Sequence, residues 1–178
     1  MNVQSCPTCI TVFCASARAF VPYLVVLFVC VIALGSAQAS LRVPVSLTLT
    51  VGDGERISFD RQQLNRLPQI DITTHTPFTS GLQTFRGVKL SILLEAANVS
   101  HYQALTLHAM NRYQARLTRD VVTRYQPIIA FERNGKPMTI RTLGPLWLVY
   151  PLDDYPRLQS DRFYETMVWQ LTDIEVEP

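Results

Sequence analysis

Beyond residue 30 the chain has no cysteine: Cys6, Cys9, Cys14 and Cys30 are the four that it carries. Everything downstream therefore lacks a disulfide framework, a thiolate nucleophile, a redox pair and a soft-metal ligand. An excess of one charge is missing too. The balance of 16 Lys+Arg against 14 Asp+Glu gives no reason to expect nucleic acid or a charged membrane surface as partner. His75, His101 and His108 show no paired ligand spacing and no accompanying acid, which argues against a metal centre. There is no Gly-x-Ser-x-Gly elbow for an esterase, no internal repeat and no low-complexity tract. Asp153-Asp154 reads as a solvated turn and not as a catalytic carboxylate pair. "GDG" at 52–54 lacks the third glycine and the following helix of a nucleotide loop, so it reads as a turn.

Long apolar runs are absent except for one, "AFVPYLVVLFVCVIALG" from Ala19 to Gly35. Arg18 precedes it and "SAQA" follows, and Ala37-Gln38-Ala39 fits the small-x-small cleavage pattern of an exported protein. The expectation is a signal peptide over residues 1–39, cleaved after Ala39, and a single domain over residues 40–178. An uncleaved anchor is the competing reading, since the run is near the short end of the roughly 17–25 residues that cross a bilayer. In either case all four cysteines belong to the export segment, and the Cys6-x-x-Cys9 spacing is accidental.

The remaining chain alternates between strand and short-helix signals. In "VSLTLTVGDGERISF", Val45, Leu47, Leu49 and Val51 alternate with polar residues, the period of a half-buried strand. Asp53-Gly54 offers the left-handed positions of a hairpin turn. Asp60 and Gln63 stand at capping-box spacing for a helix that Pro68 stops. "QIDITTHT" is strand-like, and "TFRGVKLSILLEAANV" predicts a strand end, a break at Gly87 and a helix burying Leu90, Leu93, Leu94 and Ala97. "ALTLHAMNRYQARLT" predicts two strands folded at Asn111-Arg112, after which Asp120 caps "VVTRY". Asn134-Gly135 marks a reversal, "GPLWLVYP" a buried strand, and "TMVWQLTDIEV" the last strand. The sum is one α+β domain of mostly mixed sheet with a few short helices.

Three segments carry a resemblance. "HTPFTSGLQTFRGVKLSILLEAANV" is similar to a ligand loop followed by "-GVxLxxLL-", and "HAMNRYQARLTRDVV" to an "-LNDY-" turn. "IIAFERNGKPMTIRTLGPLWLVYP" is similar to "-NGxPLxxxxGxPLxLVxP-", with "VWQLTDIEV" as the closing strand. Together they resemble the molybdopterin-binding domain of the sulfite-oxidase type of oxidoreductases over most of residues 45–176. The departures bear on function. Where that family presents a molybdenum-ligating cysteine, this chain has Thr76 or a residue beside it, and a neutral hydroxyl is a poor substitute for a thiolate. Where many relatives carry an arginine suited to a cofactor phosphate, this chain has Trp147.

The resemblance therefore implies the cysteine-less branch of the fold, which binds a free pterin in the periplasm. A protein of that branch reports occupancy to an inner-membrane receptor controlling cyclic di-GMP turnover, without chemistry of its own. The alternative it implies is a molybdopterin-dependent oxidoreductase subunit. A third reading is a structural or adaptor domain that binds no small molecule, marked by a filled pocket and a Trp147 packed into the core. For the pterin reading, Thr76 and Thr79 would offer hydroxyls and amides to the ring edge, with Phe78 as an apolar wall. Asn111 and Tyr113 lie at a turn that relatives aim at the cofactor, Gly144 and Pro145 bring backbone close, and Trp147 stacks. Each has a plainer role: Phe78 and Trp147 as core, the threonines as strand residues, and Asn111 as a left-handed turn residue. Arg141 is expected to be exposed.

Overall fold

A computed structural model describes residues 46–52 and 54–178. The export segment, Val45 and Asp53, on which several expectations fall, lie outside the described residues.

Strand β1 (Ser46–Val51) buries Leu47 and Leu49 completely, as the alternation requires, and pairs antiparallel with β2 (Glu55–Asp60). Between them the left-handed residues are Gly52 (φ +53°) and Gly54 (φ +98°). Both glycines of the triplet are thus left-handed, as a tight turn requires, and the expectation for Asp53 lies outside the described residues. Helix α1 (Arg61–Arg66) begins on the expected capping box: Gln63 N donates to Asp60 Oδ1 at 2.7 Å, and Asp60 N donates back to Gln63 Oε1 at 2.7 Å. It ends at Leu67, whose extended backbone is what a following proline imposes.

β3 (Gln69–Thr74) pairs antiparallel with β4 (Gln83–Lys89). Gly87 does not break β4. The strand runs through it, with a register shift between Arg86 and Gly87 where β4 meets β7 (Ile128–Arg133). A Cβ on Gly87 would overlap the Ile129 carbonyl and lie 2.7 Å from Ala130 Cα, so the glycine permits close backbone approach inside a sheet. Helix α2 (Leu90–Ala96) follows at once and buries Leu90, Leu93 and Leu94 as predicted.

β5 (Ala104–Ala109) and β6 (Gln114–Thr118) form the next hairpin, leading into α3 (Arg119–Tyr125). Asp120 is not its cap. Thr118 holds that position without a side-chain bond, and Asp120 sits in the first turn, paired with Arg124 at 3.4 Å. Asn134 (φ +52°) and Gly135 (φ +73°) make the expected reversal from β7 into β8 (Lys136–Pro137). Two left-handed residues in succession match the twist of the flanking strands. β9 (Trp147–Val149) also pairs with β7; α4 (Asp161–Tyr164) and β10 (Leu171–Glu177) complete the described chain.

The strands form two five-stranded sheets. One has the order β2-β1-β10-β5-β6 and is mixed, because β1 and β10 run parallel. The other has the order β3-β4-β7-β8, with β9 beside β7. Both sheets feed one hydrophobic core: Leu49, Leu107 and Ile174 from the first, Phe85, Ile129 and Leu148 from the second. This is the single α+β domain with short helices that the strand and helix signals predict. Among the described residues no helix is long and apolar enough to cross a membrane.

Candidate functional site

Two loops and the segment before β10 converge on a cleft of about 410 Å³. The turn between β5 and β6 supplies one wall. Its left-handed residue is Arg112 (φ +70°), whose amide closes onto Ala109 O at 3.0 Å. Asn111 instead accepts a hydrogen bond from Tyr113 N on its Oδ1 at 3.0 Å, a side-chain turn of the kind asparagine favours. Tyr113 is then pinned across the cleft, its hydroxyl donating to Glu165 O at 2.9 Å.

The loop after β3 supplies the opposite wall. Thr76 is buried, and its hydroxyl pairs with that of Thr79 at 2.7 Å. Phe78 N donates to Thr76 Oγ1 at 3.3 Å, which tucks Phe78 inward. There its ring lies edge-to-face with Trp169 (centroids 4.9 Å apart) and Tyr164 (6.5 Å). Pro77, Phe78, Tyr113, Tyr164 and Trp169 make most of the cleft's aromatic and apolar surface, and Asn111, Asp161 and Glu165 are polar members of its lining. Among the described residues no lysine or arginine lines it.

Of the predicted site residues, Phe78, Asn111 and Tyr113 meet at this cleft. Trp147 does not. It is fully buried, its indole Nε1 donates to Met167 O at 3.0 Å, and its ring packs edge-on against Phe85 at 5.2 Å. A side chain with no free face cannot be a stacking platform, so the expectation for Trp147 is corrected. The tryptophan on the cleft is Trp169, which faces Trp147 across an isolated antiparallel bridge. Gly144 and Pro145 do not line the cleft either. A Cβ at Gly144 would lie 2.7 Å from Met138 C, so this glycine serves backbone packing. Thr79 does not line the cleft, and its hydroxyl pairs with that of Thr76. Arg141 is exposed, as expected.

Thr76 borders a second cavity of about 380 Å³, which shares Pro77 and Tyr164 with the cleft. Its polar lining is His75, Thr76, Asp153 and Gln159. Sequence reading leaves the histidines without acidic partners, yet His75 uses both its backbone N (3.0 Å) and its ring Nδ1 (2.9 Å) on Asp153 Oδ2. Asp153 N in turn donates to Thr74 Oγ1 at 3.1 Å. Asp153 and Asp154 lie in an exposed turn, as expected, and Asp153 in addition clasps two loops. Slight burial pushes the Asp153 carboxyl up, but the bonds from His75 and Thr74 and the imidazole's charge outweigh it and hold the group below its ordinary value. His108 also has an acid nearby, Glu175 at 3.6 Å. Among the described residues no cluster of three or more His, Cys, Asp or Glu could hold a metal ion.

A molybdenum cofactor, which the family resemblance implies in its oxidoreductase members, does not fit these residues. The residue at the matching position offers a neutral hydroxyl already bonded to Thr79 and Phe78 N, the described residues include no thiol, and the cleft opposes a phosphate with Asp161 and Glu165.

No family model matches the chain, and no curated protein is similar to it. Among solved structures, the sulfane dehydrogenase SoxCD from Paracoccus pantotrophus is similar at a TM-score of 0.56 and 16% identity, covering 74% of this chain and 38% of that one. The chain thus spans well under half the length of that protein, and the likeness bears on the fold: it agrees with the sulfite-oxidase-like architecture that the sequence motifs imply.

Proposed function

We propose that the protein binds a free pterin in the aromatic cleft and acts as a periplasmic regulator that reports occupancy to an inner-membrane receptor governing cyclic di-GMP. The observation that carries the reading is the cleft's combination of Phe78, Tyr164 and Trp169 with two carboxylates and no base. A pterin is a flat ring whose amino-pyrimidine edge presents adjacent N–H donors. A carboxylate accepts such an edge bidentately, which gives Asp161 or Glu165 a role beside the aromatic walls. The cleft volume falls within the roughly 300–1,000 Å³ of small-molecule sites.

The energetics are sufficient. Stacking on an aromatic contributes about 1–3 kcal/mol per ring, and each hydrogen bond about 1 kcal/mol net. After the cost of association, low-micromolar binding near about −8 kcal/mol is within reach. No reacting group is required of the protein.

The adaptor reading draws support from Trp147, which is packed as that reading demands. It also demands a filled pocket, and the cleft is open. Titrating the purified protein with a reduced pterin and following tryptophan emission separates the two. Saturable quenching that disappears in Trp169→Ala supports the pterin reading; no saturable response to any pterin rejects it. Stoichiometric molybdenum in protein from a cofactor-competent host would reject it in favour of an oxidoreductase subunit.

A further inference from the structure

The open end of the β5–β6 hairpin borders a third cavity, of about 430 Å³. Tyr102 lies just before β5 and Arg119 just after β6, whereas Ala109, the last residue of β5, lines the cleft. Roughly 20 Å of strand separates the two ends. The end of α2 builds the cavity's inner wall. Val99 N donates to Leu94 O at 2.8 Å and Asn98 N to Glu95 O at 2.9 Å, with Asn98 left-handed (φ +57°). This paired closure folds the chain back and sets an apolar residue beyond the turn against one inside the helix. Leu94 and Val99, both buried, and the half-buried Tyr102 are accordingly the cavity's apolar members.

Its exposed members include opposite charges. Arg119 holds its guanidinium carbon 5.6 Å from the centroid of the Tyr102 ring, and Glu95 borders the same cavity. Among the described residues neither is in an ion pair, with the other or with any third group. Hydroxyl and amide side chains complete the lining. A base and an acid that share a cavity without neutralising each other suit a ligand that carries both charges itself. Guanidinium takes a carboxylate bidentately, and a carboxylate accepts from an ammonium. A purely anionic or cationic ligand would meet a like charge instead. The apolar wall adds a requirement for hydrocarbon.

We propose that this cavity is a second ligand site, for a zwitterion with an apolar side chain, the chemistry of an apolar α-amino acid. The carboxylate pairs with Arg119, the ammonium with Glu95, and the side chain packs on Leu94, Val99 and Tyr102. The inference is independent of the pterin reading, because neither Arg119 nor Glu95 borders the cleft.

The test is calorimetry on the purified protein with L-leucine and L-phenylalanine. The amide of each lacks the carboxylate, the N-acetyl form lacks the ammonium, and glycine lacks the side chain. Saturable binding of at least one of the two amino acids is expected, and each loss is expected to weaken it at least about tenfold. Arg119→Gln is expected to bring the amino acid and its amide to equal affinity, and Glu95→Gln to do so for the amino acid and its N-acetyl form. Unfolding would not produce that matched pattern, and both residues are exposed, so the substitutions spare the core. Absence of saturable binding by both amino acids overturns the site. So does binding that the amide and N-acetyl forms share equally, or that survives both substitutions unchanged.

Discussion

Trp147 and Trp169 face each other across a two-residue bridge, yet one is fully buried and the other borders the cleft. They are the chain's two tryptophans, so a single fluorescence experiment addresses both roles. Trp169→Ala is expected to abolish pterin-dependent quenching while the domain stays folded. Trp147→Ala is expected to cost about 3–5 kcal/mol of stability, the usual penalty for emptying a core aromatic site. Urea unfolding followed by circular dichroism reads the second effect, and ligand titration the first.

Among the described glycines, Gly87 leaves the least room for a side chain. Gly87→Ala would press a methyl group onto the Ile129 carbonyl and Ala130 Cα, with no flexible neighbour to yield. A loss of about 1–3 kcal/mol or more is expected, read as a lowered denaturation midpoint. Gly52, whose added Cβ would meet nothing within 4 Å, provides the control. There the cost of Gly52→Ala comes from left-handed backbone alone.

The capping box of α1 gives a milder, local prediction. Asp60→Ala removes the bond to Gln63 N and should destabilise the domain by about 1 kcal/mol. Asp60→Asn retains an acceptor and should recover most of it. Chemical denaturation of the three proteins is the measurement.

The Asp153 clasp predicts a pH dependence of known sign. Its carboxyl is held below the ordinary value in the folded protein, so ionised Asp153 favours folding. That contribution is fully present above the unfolded-chain value of about 3.9 and is lost as pH falls through the lower folded value. The melting-temperature difference between the unaltered protein and Asp153→Asn should therefore shrink once the pH falls below about 3.9. A difference that persists undiminished in strong acid would contradict the clasp.

Local chemistry was legible before any coordinates. The Asp60–Gln63 box, the Asn134-Gly135 reversal and the alternation of Leu47 with Leu49 each depend on residues within a few positions of one another. The site was half legible. Phe78, Asn111 and Tyr113 belong to motifs that announce a ligand loop and a turn, and they do converge. Trp147 misled because a large aromatic suggests stacking, although its setting in "PLWLVYP", a continuous apolar run, is that of a strand buried on both faces. Trp169 and the His75–Asp153 pair were illegible for a different reason. Their partners lie across the fold, 78 residues away in the case of Asp153, and no short-range pattern encodes such a meeting.

The parallel pairing of β1 with β10 also governs assembly. During synthesis the hairpins β1–β2 and β5–β6 can each zip as they emerge, but nothing joins them until β10, which follows every other strand, slides between. Until β10 is in place the two hairpins each keep an unsealed sheet edge, so this sheet cannot close before that strand is made.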